Sequence, residues 1–424
     1  MSIPNLDEDR FKAVLKEQLS ASKAITSPAH LRGRAQKLEQ IERAFNAPGR
    51  HIFIFGDRGV GKTSLAQTAA FLHQSSDNSP ITVGCDSQAT FFSVAKDIAM
   101  RCLPTHEILR QKKKTETLKV SLPFFSYDTQ NGQEAATIGN VASINEAISL
   151  LKAAGELHSS TPVIVIDEFD QISSDEEKKR FADFIKQASD QDLNMKFIFC
   201  GIGSSLDDLL GVHLSTTRYL AAIELDRLPH DARWEIITGA AHALGVTVEH
   251  ETKVRIGTIS DGFPYYVHLL SEMLFWQLFN DPANFTTNTI AHFETAIHNA
   301  VLDIAPFLKK TYEKATQKYG DDYQEVLWAV ADSPLLSRPT AQIYESYVVI
   351  MGQLTRPALD KSKFYTRMNN LKSDRHGSIL KATRSGWYSF SENIVRGYVR
   401  LIAEQSGVQL EGDHLLSPRR GARA

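Results

Sequence analysis

Residues Gly56–Thr63 have the types and spacing most suited to chemistry in this chain. They satisfy the pattern G-x-x-x-x-G-K-S/T, between an apolar run and a helical pattern. Glycines let successive backbone N–H groups point at phosphate oxygens, and the start of a helix adds partial positive charge. Lys62 would bridge the β- and γ-phosphates of a nucleotide, and the Thr63 hydroxyl would ligate Mg²⁺. The pattern predicts a site for ATP and Mg²⁺, with a structural glycine-rich turn as the alternative. The predicted nucleotide-binding residues are Gly56, Asp57, Arg58, Gly59, Val60, Gly61, Lys62, Thr63 and Ser64.

A pair of acidic residues forms the second candidate group. Asp167 and Glu168 directly follow the apolar run Val163–Ile166, at the end of a strand where parallel sheets bind ligands. Asp167 would hold Mg²⁺ directly or through water. Glu168 would polarise the water that attacks the γ-phosphate. Alone, the pattern fits a plain strand end equally well; with the upstream glycine-rich loop it predicts nucleotide hydrolysis.

Short apolar runs of β-forming residues alternate with helical patterns around these groups. The pattern Glu176–Ala188, for example, places Phe181, Phe184 and Ile185 on one helical face. Strands that alternate with helices predict an α/β fold with a parallel sheet covered on both sides. The stretch from about 226 to 307 has no comparable strand and is predicted to be helical. The predicted strands are His51–Phe55, Ile81–Cys85, Val163–Ile166, Phe197–Cys200 and Ala221–Leu225.

Together these motifs resemble the AAA+ ATPases of the group that includes origin-recognition ATPases, STAND signalling ATPases and AAA+ transposition regulators. Leu31–Ile41 resembles the segment L-x-G-R-x-x-x-L-x-x-I that precedes the phosphate loop in that group. There the segment lies against the adenine, so the resemblance implies base-side roles for Leu31, Gly33 and Arg34. A capped surface helix is the alternative. The resemblance covers roughly residues 28–305 and implies a P-loop AAA+ parallel-sheet core with a helical lid.

Two segments beyond the acidic pair extend the resemblance. Ser204 is the nearest fit to the family's γ-phosphate sensor, although the usual Asn or Thr is missing at the strand tip. Arg218 precedes the fifth strand and resembles the family's arginine finger, which would stabilise transition-state charge at a neighbouring subunit's γ-phosphate. This role implies self-association through the core. The alternative is that Arg218 forms a surface or intrasubunit ion pair.

The segment Asp261–Tyr266 resembles the G-x-P turn of STAND and related lids, which positions a helix over the nucleotide. The resemblance gives Pro264 a nucleotide-binding role, and a plain turn before a helix is the alternative. Other AAA+ branches carry a sensor arginine near this point, and the sequence lacks it. This departure favours a slow, switch-like ATPase over a fast motor.

In the last quarter of the chain, the sequence predicts helices at Tyr323–Ala331, Thr340–Met351 and Lys361–Leu371, and strands at Ser378–Lys381 and Trp387–Phe390. Three helices followed by a β-hairpin resemble a winged helix-turn-helix, in which the third helix enters the DNA major groove and the wing contacts phosphates. Residues 354–400 hold ten basic and three acidic residues, a local charge of +7 in a chain of net charge −3. Such an excess is typical of surfaces that bind polyanions. The predicted nucleic-acid contacts are Lys361, Lys363, Arg367, Lys372 and Arg384.

Length and composition favour a multi-domain intracellular protein, since 424 residues correspond to two to three domains. There is no signal peptide and no apolar run long enough for a membrane span, so we expect a cytoplasmic protein without a membrane partner. The three cysteines lack metal-type spacing. The predicted segments are an N-terminal extension (1–29), the AAA+ core (30–225), the helical lid (226–307), the winged-helix domain (308–410) and a basic tail (411–424). An insertion at about 103–140, which includes Lys112–Lys114, is predicted as a β-hairpin or a disordered basic loop.

The sequence therefore predicts an ATP-hydrolysing oligomeric switch that binds double-stranded DNA through its C-terminal module. The alternative is a STAND-type signalling or defence ATPase whose winged helix binds a protein partner. The sequence has no catalytic triad, zinc motif or nuclease acid cluster, so a second enzymatic activity is not expected.

Overall fold

The computed structural model divides into two compact units. The described residues are 3, 6–74, 80–102, 125–130, 133–156, 161–212, 216–283, 285–317 and 322–413. The core unit comprises residues 24–56 and 62–225, and the C-terminal unit comprises residues 1–23, 57–61 and 226–424. Within the described ranges, no helix has both the length and the apolar character needed to cross a membrane.

A five-stranded parallel sheet organises the core unit. The strands of this unit are β1 (His51–Phe55), β2 (Ile81–Gly84), β3 (Phe125–Gln130), β4 (Gln133–Ile138), β5 (Val163–Asp167), β6 (Lys196–Gly201) and β7 (Leu220–Glu224). The sheet has the order β2-β5-β6-β1-β7, and all neighbouring strands are parallel. The prediction of an α/β fold with these five parallel strands is confirmed. Strands β1, β5 and β6 are buried along almost their whole length, which explains why they read as continuous apolar runs.

Helices cover the sheet, as their alternation with the strands predicts. The first helix of the chain, α1 (Glu8–Gln18), belongs to the C-terminal unit. The helices of the core unit are α2 (Ala35–Phe45), α3 (Lys62–His73), α4 (Phe91–Cys102), α5 (Ile144–Gly155), α6 (Asp175–Asp190), α7 (Gly203–Val212) and α8 (Thr216–Tyr219). The predicted apolar face of α6 is confirmed, because Phe181, Phe184 and Ile185 are buried. Phe184 lies edge-on to Phe197 of β6, with ring centroids 5.3 Å apart, which is a favoured aromatic geometry.

The predicted insertion contains a β-hairpin. Strands β3 and β4 pair antiparallel, with Phe125 opposite Ile138 and Gln130 opposite Gln133. Residues 125–138 therefore form a hairpin, while residues 103–124 of the predicted insertion lie outside the described residues. The basic segment Lys112–Lys114 lies outside the described residues, as does the C-terminal tail beyond residue 413.

The C-terminal unit is mainly helical, and the predicted helical character of residues 226–307 is confirmed. Its helices up to residue 316 are α9 (His230–Leu244), α10 (His250–Ser260), α11 (Pro264–Asn280), α12 (Ile290–Asp303) and α13 (Pro306–Thr316). Helix α1 contributes to the same unit, since Phe11 stacks on Phe279 with ring centroids 4.2 Å apart.

Three helices and a hairpin follow in the predicted order. The elements are α14 (Asp322–Ala331), β8 (Arg338–Pro339), α15 (Thr340–Gln353), α16 (Lys361–Asn370), β9 (Leu380–Arg384), β10 (Trp387–Phe390) and a final helix α17 (Val395–Gln405). Strand β10 lies between β8 and β9 in an antiparallel sheet. Phe364, Met368 and Leu371 are fully buried, as their spacing predicts.

Two of the ten basic residues counted between 354 and 400 do not belong to the surface. Arg396 and Arg400 of α17 are 0% and 2% exposed. Arg396 Nε donates to Asp261 Oδ2 over 2.6 Å, and Arg400 donates to the carbonyl oxygens of Ala331 and Ser333. Interpreting all ten residues as an exposed binding surface was therefore wrong for these two. The physical reason is that a buried carboxylate and free carbonyl oxygens satisfy their guanidinium groups.

Candidate functional site

The glycine-rich loop runs from the end of β1 to the start of α3, as predicted. Gly59 and Gly61 have φ values of +84° and +97°, a region of backbone space that favours glycine. Lys62 is the first residue of α3, so the loop leads directly into the N-terminus of that helix. The Lys62 ammonium donates to the carbonyl oxygen of Gly56 over 3.0 Å. The Lys62 ammonium group and the N-terminus of α3, which both favour bound anions, therefore lie on one short segment.

Thr63 and Asp167 meet at the edge of the sheet. Thr63 Oγ1 donates to Asp167 Oδ2 over 2.6 Å, and the two residues are 104 positions apart in sequence. The strand order explains the contact, because only β6 lies between β1, which precedes the loop, and β5, which ends at Asp167. The sequence predicted both residues as Mg²⁺ ligands, and the structure brings their oxygens together.

Glu168 follows Asp167 in a left-handed backbone conformation, with φ 55° and ψ 36°. Its backbone N–H donates to Asp167 Oδ1 over 2.9 Å, which fixes the neighbouring carboxylate. Its own side chain is exposed. Asp170 lies in the 3-10 turn that follows. Ser174 caps α6, because its side chain accepts a hydrogen bond from the Glu177 backbone N–H.

The predicted adenine-side residues differ in exposure. Leu31 and Arg34 are buried, at 9% and 5% exposure, whereas Gly33 is exposed with φ 67°. The same part of the chain is joined to α3 by contacts that the sequence did not indicate. Ser64 Oγ accepts from the Ile25 backbone N–H over 3.1 Å, and Thr68 Oγ1 donates to the Ile25 carbonyl over 3.0 Å. Ser64 and Thr68 are spaced four apart and so share one helix face, but that spacing does not identify a partner.

Two residues assigned by resemblance lie on surface positions. Ser204 is an exposed residue in the first turn of α7. Arg218 is exposed on α8, directly before β7. Its neighbour Tyr219 donates a hydrogen bond to Asp190 over 2.7 Å, which joins α8 to α6.

The turn Asp261–Pro264 has the conformation that its sequence predicts. Asp261 and Gly262 have φ values of 48° and 81°, and Pro264 is the first residue of α11. A Cβ on Gly262 would lie 2.9 Å from the carbonyl oxygen of Leu228, so only glycine fits. Pro264 lies beside the glycine-rich loop, because a Cβ on Gly61 would be 3.9 Å from Pro264 Cγ.

Asp261 is a buried carboxylate among arginines. Arg227 approaches Asp261 Oδ1 at 2.7 Å, and Arg396 donates to Oδ2. Burial alone raises the pKa of this carboxyl group, but Arg396, Arg400 and Arg227 outweigh burial and leave the pKa below its ordinary value. The group is therefore ionised and joins the turn before α11 to helix α17.

The predicted nucleic-acid residues of the C-terminal unit fall into two classes. Lys361, Lys363 and Arg384 are exposed, although Lys363 lies 3.6 Å from Asp360. Arg367 and Lys372 are half-buried. Arg367 forms an ion pair with Asp322 at 3.3 Å and covers the Tyr323 ring, while Lys372 lies over the Tyr388 ring. The exposed members form the basic surface, which we define as Lys361, Lys363 and Arg384.

No cluster of three potential His, Cys, Asp or Glu metal ligands occurs among the described residues. Cys85, Cys102 and Cys200 are buried thiols. Burial raises the pKa of Cys85 to about 12, so this group is a neutral thiol at physiological pH.

Residues 30–198 match the family model of the AAA ATPase domain. This part of the chain is similar to AAA ATPases. The match includes the loop, Thr63, Asp167 and Glu168 but covers less than half of the chain. No curated protein matches the chain in sequence.

One solved structure shares the fold, and two others match most of the chain with lower scores. The Walker-type ATPase PABY2304 of Pyrococcus abyssi has a TM-score of 0.54 and 16% identity, over 89% of this chain and 99% of that protein. Cdc6p from Pyrobaculum aerophilum has a TM-score of 0.43 and 15% identity, over 93% and 97% of the two chains. The Aeropyrum pernix ORC1 protein, solved in complex with DNA, has a TM-score of 0.42 and 15% identity, over 89% and 95%. The first likeness supports a P-loop AAA+ α/β fold, and the other two lie below a TM-score of 0.5 and support no further conclusion.

Proposed function

We propose that this protein binds ATP and Mg²⁺ at Gly56–Thr63 and hydrolyses the nucleotide slowly, as a switch. The 2.6 Å contact between Thr63 Oγ1 and Asp167 Oδ2 carries the proposal. It joins a hydroxyl from the start of α3 to a carboxylate at the end of β5. These are the hard oxygen donors that Mg²⁺ prefers in nucleotide sites, so the residues present fit this ion. Bound there, Mg²⁺ would neutralise phosphate charge.

Lys62 would contribute binding energy through its ammonium group. In the structure this group donates to the Gly56 carbonyl, a neutral acceptor. Phosphate oxygens would replace that carbonyl with charged acceptors, and such hydrogen bonds are roughly twice as strong as neutral ones. Glu168 would accept a proton from the attacking water, because its exposed carboxylate follows Asp167 directly.

The proposal is tested by calorimetric titration of ATP with Mg²⁺ into the wild-type protein and the Lys62→Ala variant. We expect the substitution to weaken ATP binding by about a hundredfold, because it removes the cation at the β- and γ-phosphates. Lys179→Ala, which removes an exposed lysine from α6, is the matched control and should bind normally. Equal affinities for the wild-type and Lys62→Ala proteins would exclude this loop as the nucleotide site.

We propose further that the core assembles with nucleotide and that Arg218 acts across a subunit boundary. The exposed position of Arg218 before β7 supports this role, since its guanidinium is available to another chain. Arg218→Ala should slow hydrolysis about a thousandfold without weakening ATP binding. Mixing it with Lys62→Ala protein should restore part of the activity. A fully active monomer would contradict the role.

We propose that the C-terminal helices and hairpin act as a winged helix that binds double-stranded DNA. The exposed basic surface on α16 and β9 supports this, because phosphate contacts need solvent-accessible cations. The second candidate is a winged helix that binds an acidic protein partner. With Arg396 and Arg400 buried, eight basic side chains remain against three acidic ones, an excess that also suits an acidic protein surface. DNA binding that weakens steeply with salt would decide for the first candidate.

A further inference from the structure

The segment Asn393–Gly397 contacts the first half of the phosphate loop. Asn393 Nδ2 donates a hydrogen bond to Asp57 Oδ2 over 2.9 Å. The side chain of Ile394 covers Gly59, because a Cβ built on that glycine would lie only 2.5 Å from Ile394 Cδ1. In agreement with these contacts, residues 57–61 group with the C-terminal unit. Two adjacent residues thus touch two positions of the loop.

Hydrogen bonds and close packing join the same segment to helix α11 and to the turn before it, in its own unit. The Tyr266 hydroxyl donates to the carbonyl oxygen of Ile394 over 2.8 Å. Gly397 lies against the Tyr266 ring so closely that a Cβ would be 2.2 Å from a ring carbon. Arg396 forms the ion pair with Asp261 in the turn before α11. Asn393 and Ile394 are therefore joined to their own unit through buried, hydrogen-bonded neighbours.

The loop conformation that these residues touch is the one suited to phosphate. Gly59 and Gly61 both have positive φ values, and such turns direct neighbouring backbone N–H groups into an anion-binding hollow. A loop rich in glycine is otherwise mobile, so ordering it on nucleotide binding costs conformational entropy. A contact that orders the loop in advance lowers that cost and raises affinity.

We propose that Asn393 and Ile394 are positioning residues that hold Asp57 and Gly59 in the nucleotide-binding conformation. This inference rests on the nucleotide site proposed above. It makes the packing of α17 and the binding of nucleotide mutually dependent: if the contact favours nucleotide, bound nucleotide must favour the contact by the same factor. The C-terminal helices would then detect nucleotide directly at the loop.

The first experiment measures nucleotide affinity in variants that add a charge at Asn393 and then exchange the residue types at positions 393 and 57. Asn393→Asp places a carboxylate against Asp57, so we expect the dissociation constant for ATP with Mg²⁺ to rise about tenfold. Asp57 belongs to the loop itself, so the Asp57→Asn variant is the reference: adding Asn393→Asp to it restores a donor–acceptor pair in reverse and should raise the constant by less than about threefold. Glu392→Gln changes the exposed neighbour and serves as the matched control.

A second, smaller substitution distinguishes the loss of the loop contact from a folding defect. Ile394→Val removes only Cδ1, the atom nearest Gly59, and should weaken binding about threefold while the melting temperature changes little. Hydrogen exchange gives an independent measurement, because nucleotide should protect the backbone amides of residues 393–400 in the wild-type protein and not in Asn393→Asp.

The outcomes are distinct. A loss from Asn393→Asp that is smaller in the Asp57→Asn background, together with nucleotide-dependent protection, supports the positioning role. An affinity unchanged within twofold in Asn393→Asp, a gain in affinity, or an equal loss in both backgrounds overturns it. If the wild-type protein binds no nucleotide, the proposed function itself fails, which the wild-type titration reveals first.

Discussion

Glu168 combines an acidic side chain with a backbone conformation that residues other than glycine rarely adopt. A left-handed position of this kind costs of the order of 1–3 kcal/mol. Its backbone N–H orients Asp167 through a 2.9 Å hydrogen bond, while its own carboxylate remains exposed. The conformation therefore serves two groups at once: it fixes the proposed Mg²⁺ ligand and leaves the proposed base available to substrate.

Replacing Glu168 with Gln should separate binding from hydrolysis. The amide keeps the size of the side chain but cannot accept the proton of the attacking water, so we expect hydrolysis to fall at least a hundredfold. ATP affinity should change less than threefold. Single-turnover phosphate release and calorimetric titration measure the two quantities.

Asp192→Asn is the matched control for the Glu168 experiment. Asp192 is also an exposed acidic residue of the core unit with a positive φ, 51°, but it lies before β6 and away from the carboxyl ends of the strands. Its substitution should leave both quantities unchanged. A Glu168→Gln protein that hydrolyses ATP at the wild-type rate would remove Glu168 from the mechanism.

At the scale of elements, the turn before α11 and helix α17 depend on one buried ion cluster. Arg396→Met should destabilise the C-terminal unit by about 3 kcal/mol, since it removes a hydrogen-bonded cation from the buried carboxylate of Asp261. Thermal unfolding followed by circular dichroism measures the loss. Arg375→Met, at an exposed arginine in the same region, should have almost no effect.

A compensating substitution identifies the cause of that loss. In the Arg396→Met variant, the buried carboxylate of Asp261 loses one of its arginine partners. Combining this variant with Asp261→Asn removes that negative charge as well. The double variant should therefore be more stable than the sum of the two single losses predicts. Strict additivity would mean that the ion pair itself contributes nothing.

The strands and the position of the glycine-rich loop were predictable because both depend on local sequence. Runs such as Val163–Ile166 need only their own apolar side chains to be recognised, and the loop is defined by its own spacing. Long-range partners were not predictable. A charge count cannot show that Arg396 lies against Asp261, 135 residues away, and nothing near Ile25 indicates its contact with Ser64. Strand β8 has only two residues, which is too short for a periodic pattern.

At the scale of the whole molecule, the proposed DNA contact predicts a salt-dependent binding that can be measured residue by residue. Reversing charge at Lys361 and Lys363 should lower duplex affinity about tenfold or more at low salt. Each lost phosphate contact should reduce the slope of log affinity against log salt by about one unit. Arg367 is a poorer choice for this test, because its ion pair with Asp322 is part of the fold.

Lys310→Glu provides the control for DNA binding. Lys310 is an exposed lysine on α13 in the same unit, outside the basic surface, and its reversal changes the net charge without touching α16. Affinity should stay within about threefold of wild type. If Lys310→Glu weakens binding as much as the α16 variant does, the attraction is diffuse. If neither variant changes affinity, a protein partner replaces DNA.

The position of β1 in the sheet has a consequence for how the chain reaches this state during synthesis. Strand β1 pairs with β6 and β7, whose residues are made about 145 and 170 positions later. A nascent chain that ends before residue 196 contains neither β6 nor β7, so the apolar strand β1 stays unpaired until they have been made. The glycine-rich loop directly follows that strand, and its contacts with Asn393 and Ile394 form only after those residues too have left the ribosome. At the site proposed above, nucleotide would therefore bind and stabilise completed chains in preference to nascent ones, by mass action.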